Sequence, residues 1–336
     1  MPDMIDLSTS AKALTAVPKG ILAADESDGT CDKRFAAQGI AQSDEMRRSY
    51  RNLLLTAPGV EEYISGVILY KGTLEQKAND GTPFAESLSS RGIVPGIKVD
   101  EGTEPMPESA DELITKGLLG LSDRLHGYRD THTTGFTKWR AVITIDGDRL
   151  PTSAAIVENA KRLAMYARCV QEAGMVPMLE PEVLYDGMHS RVRSRAVITE
   201  AVSALMQALG EHGVDPSGVI LKTSMALSGK GTGRIDAPEE VAEDTLGALM
   251  EAVPAAVPGI VFLSGGQTPD QATDNLRAIA QAAQAKNAPW PLTFSFSRAL
   301  QEEALALWGG KEENVPAAQE AFLARLRKVS EAAAGR

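Results

Sequence analysis

Cysteine and histidine are scarce in this 336-residue sequence. Its two cysteines, Cys31 and Cys169, lie far apart in the chain, and none of its four histidines pair at a spacing typical of metal ligands. We therefore expect free thiols in a reducing compartment and no disulfide framework. The same scarcity gives little support to a catalytic zinc or iron site. The sequence predicts a protein without metal or cofactor.

Long hydrophobic runs and an excess of basic residues are also missing. No apolar run approaches a membrane span, and residues 1–10 lack the basic and apolar regions of a signal peptide. The 34 basic and 45 acidic residues give a net charge of -11, and an acidic surface repels nucleic acid and anionic lipid. We expect a soluble, cytoplasmic protein with no nucleic-acid or membrane partner. A phosphate ligand would require a local basic pocket.

Strand-like runs recur along the chain, and helical segments separate them. The runs cover residues 20–27, 63–71, 92–100, 138–146, 174–182, 218–225, 259–266 and 291–298. Alternation of strand and helix over eight units predicts an α/β fold, the (β/α)8 or TIM barrel. No composition break indicates a boundary, so we expect a single domain over residues 1–336. Helical segments are expected at about residues 1–18 and, as a helix or tail, at about 311–336.

Lys222 follows the apolar run 218–221. Lysine is rarely buried without a partner, so its place at the end of a buried strand needs a reason. One interpretation is that Lys222 caps the strand and reaches water or a carboxylate. The other is that Lys222 is a Schiff-base nucleophile, because desolvation and a nearby cation favour the free amine that attacks a ketone.

Charged, serine and glycine residues gather at the C-terminal ends of the runs. In chain order they are Asp25, Glu26, Ser27, Lys98, Asp100, Glu180, Glu182, Lys222, Ser264, Gly265, Gly266, Ser297 and Arg298. In a TIM barrel these strand ends meet at one mouth, where active sites lie. This convergence favours the nucleophilic interpretation of Lys222.

Lys138 and Arg140 stand at the start of the fourth run instead of its end. Alternate residues of a strand share a face, so both side chains either point into the barrel beside Lys222 or form a solvated strand start. Glu180 and Glu182 also share a face. Their mutual repulsion is expected to raise the pKa of one of them, which suits acid/base work. The alternative is that ion pairs with Lys138 and Arg140 hold both acids ionised.

A lysine amine, carboxylates and two anion sites suit reversible carbon–carbon chemistry on a phosphorylated ketone. Ser264, Gly265 and Gly266, followed by a helix N-terminus, offer backbone N–H groups, and Arg298 adds a cation. A second anion site is expected from three further cations. These are Lys98, Arg34 and Arg140.

Several strings of the sequence resemble class I fructose-1,6-bisphosphate aldolase, the Schiff-base type. They are GILAADES, LEQKANDGTPF, GIKVD, KWR, LEPE, LKTSM, FLSGGQ and FSFSRALQ, in this order over roughly residues 15–310. The resemblance implies that Lys222 forms the imine and that Asp25 and Glu180 share the acid and base steps. It also implies that Glu182 and Lys138 position groups around the imine.

The resemblance further implies where the two substrate phosphates bind. Lys98 and Arg140 are expected at the distal phosphate, and Arg298 with the backbone of Ser264 and Gly265 at the phosphate nearest the ketone. The full set of expected phosphate contacts is Ser264, Gly265, Gly266, Ser295, Ser297, Arg298, Arg34, Lys98, Arg140 and Ser27. Family members are usually tetramers, so a homo-oligomer is expected. Sedoheptulose 1,7-bisphosphate is a second expected substrate because its ketone end is the same.

Two departures from the family pattern stand out. Phe296 and Ser297 occupy positions where tyrosine and glycine are common, and serine keeps the N–H while adding a hydroxyl. Many members end in a tyrosine that protonates the enamine, whereas the last tyrosine here is Tyr185. We expect a carboxylate or water to take that role, with proton exchange on the triose ketone slower than cleavage. The alternatives to this function are another lysine-dependent sugar-phosphate aldolase, a transaldolase or a non-catalytic scaffold.

Overall fold

The computed structural model describes residues 6–107 and 109–336. The strands are β1 (Gly20–Ala24), β2 (Ile64–Leu69), β3 (Val94–Lys98), β4 (Thr103–Met106), β5 (Ser109–Thr115), β6 (Phe136–Ile143), β7 (Val176–Val183), β8 (Ile220–Thr223), β9 (Ile260–Phe262) and β10 (Leu292–Phe294). The helices are α1 (Leu7–Leu14), α2 (Asp28–Ala37), α3 (Asp44–Leu55), α4 (Lys71–Leu74), α5 (Phe84–Ser89), α6 (Leu121–His132), α7 (Ser153–Glu172), α8 (Arg191–Glu211), α9 (Pro238–Ala252), α10 (Pro269–Ala285), α11 (Arg298–Trp308) and α12 (Val315–Ala333).

Eight of these strands form one parallel sheet in the order β1-β2-β3-β6-β7-β8-β9-β10. The sheet curls into a nearly closed barrel. At the seam between its first and last strands, the Ala23 N–H donates to the Phe296 carbonyl at 2.9 Å. The predicted (β/α)8 barrel is confirmed.

The barrel strands overlap all eight predicted runs, but the fourth differs in its start. β6 begins at Phe136, two residues before the predicted run, so Lys138 is its third residue and Arg140 its fifth. Placing these two residues at a strand start is therefore wrong. A lysine inside an apolar run resembles a boundary in sequence, and only its buried partners make the interior position stable.

The sequence patterns did not predict the hairpin between β3 and α6. In it β4 pairs antiparallel with β5, with Thr103 opposite Thr115. The buried Glu112 carboxylate ties β5 to the start of α7, because it accepts hydrogen bonds from the Thr152 N–H and hydroxyl, both at 2.7 Å. The hairpin lies beside the barrel and leaves the parallel order of its strands intact.

Alternate strand residues fill the barrel interior. They are Ile21, Ala23, Ile68, Phe136, Val176, Met178, Ile220 and Val261. Helix α1 closes the N-terminal end of the barrel with Ala11 and Leu14, which belong to the same cluster. Gly96 lets the Phe136 ring enter, since a Cβ at Gly96 would lie 2.3 Å from Phe136 Cζ. The packed interior leaves polar side chains room only at the opposite end of the barrel.

Each N- and C-terminal helix lies against the barrel. Helix α1 lies within the expected segment 1–18, of which residues 1–5 are outside the described residues. Near the other end, α12 is followed by residues whose carbonyls accept hydrogen bonds from α10, where Arg277 Nε donates to the Arg336 carbonyl at 2.8 Å. None of the described helices is long and apolar enough to cross a membrane.

Candidate active site

A cavity of about 720 Å³ opens at the C-terminal ends of the barrel strands. Most of the residues expected from the sequence line it. They are Asp25, Ser27, Lys98, Lys138, Arg140, Glu180, Glu182, Lys222, Ser264, Gly265, Ser295, Ser297 and Arg298. Two expected residues, Arg34 and Gly266, are not in its wall.

Strand alternation explains why the charged residues meet in this cavity. Lys222, Lys138 and Glu180 each lie two residues after an interior residue of their own strand, namely Ile220, Phe136 and Met178. Residues two apart share a face, so the three side chains continue the interior column to the mouth. The interpretation that Lys138 points into the barrel beside Lys222 is confirmed, and a solvated strand start is wrong.

Glu180 bridges the two buried lysines. Its Oε1 lies 2.9 Å from Lys222 Nζ and its Oε2 lies 3.1 Å from Lys138 Nζ. Lys138 Nζ also lies 2.6 Å from Asp25 Oδ2. Lys222, Lys138 and Glu180 are each only 3% exposed, so the four side chains form one continuous chain of ion pairs away from bulk water.

Opposite charges decide the protonation states of the side chains in this row of ion pairs. Burial raises the pKa of Glu180, but Lys138, Lys222 and Arg140 outweigh it and hold that pKa below its ordinary value. Burial also raises the pKa of Asp25, but the nearby lysines outweigh burial and hold that pKa below its ordinary value. Burial lowers the pKa of Lys138, and Asp25 and Glu180 reverse this and raise it. Both carboxylates are therefore ionised and Lys138 is a cation at neutral pH.

The expectation was that mutual repulsion raises the pKa of one of the two acids, and at Glu180 the pKa is instead lowered. Glu182 pairs with the Arg140 guanidinium, and Glu180 pairs with two lysines. The ion pairs considered as the alternative are present. Cations at hydrogen-bond distance outweigh a like charge that is itself neutralised.

The wall beside β3 carries a second group of charges. Lys98 Nζ donates to the Asp100 side chain and, at 3.0 Å, to the Asp100 carbonyl. Asp100 also accepts from the backbone N–H of Arg140 at 3.4 Å. Lys98 and the backbone of Arg140 are thus joined through Asp100 on one side of the cavity.

Backbone donors and Arg298 lie at the β9 and β10 ends. Gly265 and Gly266 have φ of 58° and 91°, a region that glycine occupies without strain. Arg298 lies against this turn, since a Cβ at Gly266 would be 3.3 Å from Arg298 Nη2. Across the described ranges Arg298 has no carboxylate within ion-pair distance. It is a cation available to a ligand.

Arg34 lies elsewhere than expected. Its Nη1 contacts Glu26 Oε1 at 2.6 Å and Gln301 Oε1 at 2.8 Å, behind the cavity wall at the seam of the barrel. Grouping Arg34 with Lys98 and Arg140 is therefore wrong. Ser295 has a buried hydroxyl at the cavity wall with no hydrogen-bond partner among the described residues.

Glu26 is a site residue to which sequence reasoning gave no role. It lines the cavity and accepts from the Ser297 hydroxyl at 2.5 Å, and its Oε2 lies 2.9 Å from Arg51. Burial raises its pKa, and Arg51 and Arg34 outweigh burial and lower it. The sequence signal that could have found Glu26 was its position next to Asp25 in the same strand-like run. Other residues of the wall were also missed, among them Thr30, Tyr70, Lys71 and Tyr128.

The arrangement combines a buried amine with proton carriers and anion binders. Lys222 is placed to attack a carbonyl, with Glu180 within proton-transfer distance. Arg298 and Lys98 come from different walls of the cavity. Within the described part of the chain no His, Cys, Asp and Glu group is arranged to hold a metal ion.

Comparisons with known proteins agree with this geometry. A model of the family described as fructose-bisphosphate aldolase class-I matches residues 6–336. Fructose-bisphosphate aldolase 6, cytosolic, from Arabidopsis thaliana is 48% identical over 330 residues, covering 98% of this chain and 91% of that protein. A probable fructose-bisphosphate aldolase class 1 from Xanthomonas campestris pv. campestris is 46% identical over 333 residues, covering 98% of each chain.

Among solved structures, fructose-bisphosphate aldolase from Plasmodium falciparum, in complex with TRAP and a small-molecule inhibitor, superimposes with a TM-score of 0.96. It is 41% identical, and the match covers 100% of this chain and 96% of that one. The family model and these identities extend over nearly the whole chain. The chain therefore belongs to the class I fructose-bisphosphate aldolase family.

Proposed function

We propose that this chain catalyses the reversible aldol cleavage of fructose 1,6-bisphosphate to dihydroxyacetone phosphate and glyceraldehyde 3-phosphate, and that Lys222 forms the Schiff base. Membership of the family supports the reaction. The observation that carries the assignment of Lys222 is its burial at the centre of the cavity with its amine 2.9 Å from Glu180.

Imine formation uses Lys222 and Glu180. The Lys222 amine attacks the ketone carbon and forms a C–N bond. The former carbonyl oxygen takes up one proton from solvent and becomes a hydroxyl. Glu180 then takes a proton from the nitrogen and delivers it to that hydroxyl, which leaves as water. The product is a protonated imine, whose positive nitrogen attracts electrons from the neighbouring carbon–carbon bond.

Cleavage uses a second carboxylate. Asp25 accepts the proton of the hydroxyl on the departing carbon, the C3–C4 bond breaks, and its electron pair moves toward the imine to give an enamine. The aldehyde leaves as glyceraldehyde 3-phosphate. The lowered pKa of Asp25 keeps it ionised and able to accept this proton.

Lys138 positions both carboxylates. It contacts Asp25 at 2.6 Å and Glu180 at 3.1 Å, so one ammonium group sets the distance between the two proton carriers. Glu182 holds Arg140 in the wall by an ion pair.

The two phosphates are assigned to opposite sides of the cavity. The backbone N–H groups after β9, together with Arg298, Ser295 and Ser297, bind the phosphate nearest the ketone. Lys98 and Arg140 bind the distal phosphate, with Ser27 at the start of α2 as a further donor. The absence of a carboxylate partner for Arg298 among residues 6–107 and 109–336 supports the first assignment, and the shared Asp100 supports the second.

Three further properties belong to this proposal. Turnover is independent of metal, because the imine supplies the electron sink. The protein is a homo-oligomer, with a tetramer expected, and it acts in the cytosol. The plant relative named above is described as cytosolic. Light scattering on the purified protein measures the assembly directly.

Borohydride trapping tests the assignment of the nucleophile. Reduction in the presence of dihydroxyacetone phosphate is expected to add the triose to the tryptic peptide that contains Lys222, because borohydride converts an imine to a stable amine. Mass spectrometry identifies the modified residue, and the peptides with Lys138 and Lys98 serve as internal controls.

Chelator is added in a parallel reaction. An adduct at Lys222 with full cleavage activity in chelator is the expected result. An adduct at another lysine contradicts the assignment of Lys222. No adduct and no cleavage of fructose 1,6-bisphosphate contradict the function itself and favour a scaffold.

A further inference from the structure

Gln301 is a fully buried polar residue on α11 that the reaction described above does not use. It is 0% exposed, and both ends of its amide have partners. Its oxygen accepts from Arg34 Nη1 at 2.8 Å and from the Tyr50 hydroxyl at 3.0 Å. Its nitrogen donates to the Ala23 carbonyl at 2.7 Å and to Ser297 Oγ at 3.4 Å. Burying an amide is costly unless such bonds are made.

These partners belong to two helices that begin at the cavity. Helix α2 starts after Ser27, and α11 starts after Ser297, and both serines line the cavity wall. Gln301 lies in the second turn of α11, and Arg34 lies two turns into α2. The hydrogen bond between them therefore joins the two helices directly behind their N-termini, although they are far apart in sequence.

Glu26 completes the connection at the cavity wall. One carboxylate oxygen, Oε1, binds Arg34 at 2.6 Å and accepts from the Ser297 hydroxyl at 2.5 Å. Arg51 pairs with the other oxygen at 2.9 Å. Arg34, Glu26, Ser297 and Gln301 thus form a closed ring of contacts, in which Gln301 is the member that also holds the strand carbonyl of Ala23.

We propose that Gln301 is a positioning residue that fixes the separation of the two helix N-termini and so gives the enzyme its preference for a sugar carrying two phosphates. This inference rests on the proposed function. A substrate with two phosphates must match two anion-binding ends at once, whereas a monophosphate uses one of them. A loosened connection between α2 and α11 therefore costs binding energy only when both phosphates are present.

The test compares kcat/KM for fructose 1,6-bisphosphate with kcat/KM for fructose 1-phosphate. Gln301→Met keeps the volume and removes every hydrogen bond of the amide. We expect the ratio of the two values to fall about tenfold, the size of one charge-assisted hydrogen bond. A double-mutant cycle with Arg34→Met is expected to be non-additive, because Gln301 acts through Arg34.

Asn159→Leu is the matched control. Asn159 is also a buried helix amide, and it donates to the Leu113 and Ala155 carbonyls away from the cavity. This variant is expected to lose stability and keep the wild-type ratio. A Gln301→Met ratio within about twofold of wild type, or a fully additive cycle, overturns the inference.

A second variant keeps the test decisive if Gln301→Met does not fold. Gln301→Glu retains an acceptor for Arg34 and loses the donor to Ala23, so its ratio is expected within about threefold of wild type. A tenfold fall in that variant overturns the inference. The wild-type protein separates the two proposals, since a failed function gives no turnover of either sugar.

Discussion

Two lysine amines contact the Glu180 carboxylate, but the two lysines differ in how many carboxylates each one contacts. Lys138 is bound by Glu180 and by Asp25, whereas Lys222 is bound by Glu180 alone among the described residues. Lys138 is therefore held as an ammonium group, and Lys222 has fewer bonds to break before it reacts. The division of roles between them follows from the count of their carboxylate partners.

Lys138→Met is expected to destabilise the protein more than Lys222→Met. The first change removes the cation that contacts Asp25, and breaking a buried pair costs about 3–5 kcal/mol. The second leaves Glu180 its contact with Lys138. Denaturant midpoints measure the two losses, and cleavage assays are expected to show no activity in Lys222→Met.

Lys71→Met is the control for this comparison, since Lys71 is an exposed lysine of the same cavity wall. Asp25→Asn combined with Lys138→Met is expected to regain part of the lost stability, because both charges are then removed. Equal midpoints for Lys138→Met and Lys222→Met would contradict the structural role of Lys138.

Residue identities were easier to predict than residue partners. The lysine and acids at the strand ends were predicted because parallel strands bring these ends together. The ion pair of Arg34 with Glu26 was not, because it joins α2 to the segment after β1 through a contact that no local pattern encodes. The direction of the Glu180 pKa shift could not be assigned from the sequence for the same reason, since it depends on how near each lysine comes.

A buried histidine lies between two loops at the mouth of the barrel. His189 lies between β7 and α8, lines a small cavity next to Gly265, and accepts through its carbonyl from the Gly229 N–H at 2.8 Å. It therefore connects the loops that follow β7 and β8. Burial, with Arg193 as a smaller contribution, lowers the pKa of its side chain below the ordinary value of 6.5.

This direction predicts a loss of stability in mild acid. The unfolded chain binds a proton at His189 at higher pH than the folded chain does, so the contribution to stability is present above about pH 6.5 and is lost as pH falls through the folded pKa. The melting temperature of wild type is expected to drop between about pH 8 and about pH 5.5. His189→Leu is expected to reduce that drop.

His126→Leu controls for histidine content, because His126 is exposed on α6. This variant is expected to keep the wild-type drop in melting temperature. An unchanged drop in His189→Leu would show that other groups cause the acid sensitivity.

Elements with a strong period were predicted, and elements defined by distant partners were not. Helix α7, one of the helical segments expected between the runs, buries Ile156 and Val170, and Thr268 caps α10 by accepting from the Gln271 N–H at 3.2 Å. The hairpin of β4 and β5 was missed. Its strands contain exposed and acidic residues and a proline, and it is held by Glu112 on the distant Thr152.

At the scale of the whole molecule, one apolar cluster runs between the barrel and its helices from β1 to α12. Trp139 on β6 and Trp308 on α11 are both buried members of it. The strand–helix alternation predicted this architecture because eight such units bury their apolar faces only when the sheet curls. A shared core also leads us to expect a single folding unit.

Unfolding is therefore expected to be one cooperative transition. Far-ultraviolet circular dichroism reports the helices. With Trp290 also replaced by Phe, fluorescence of the Trp139→Phe and Trp308→Phe variants reports the single tryptophan left on α11 or on β6. All three denaturation curves are expected to coincide. A fluorescence change that precedes the loss of helix would show that part of the chain unfolds by itself.

The seam of the barrel has a consequence for the protein while it is being made. Ala23 forms its backbone bond with Phe296, and Gln301 holds the Ala23 carbonyl. When Lys222 of a growing chain has left the ribosome, the first strand still has an open sheet edge and Arg298 has not yet emerged. That edge of the first strand stays unpaired, and exposed to other nascent chains, until nearly all of the protein has been synthesised. Activity consequently begins only with the arrival of the last strand.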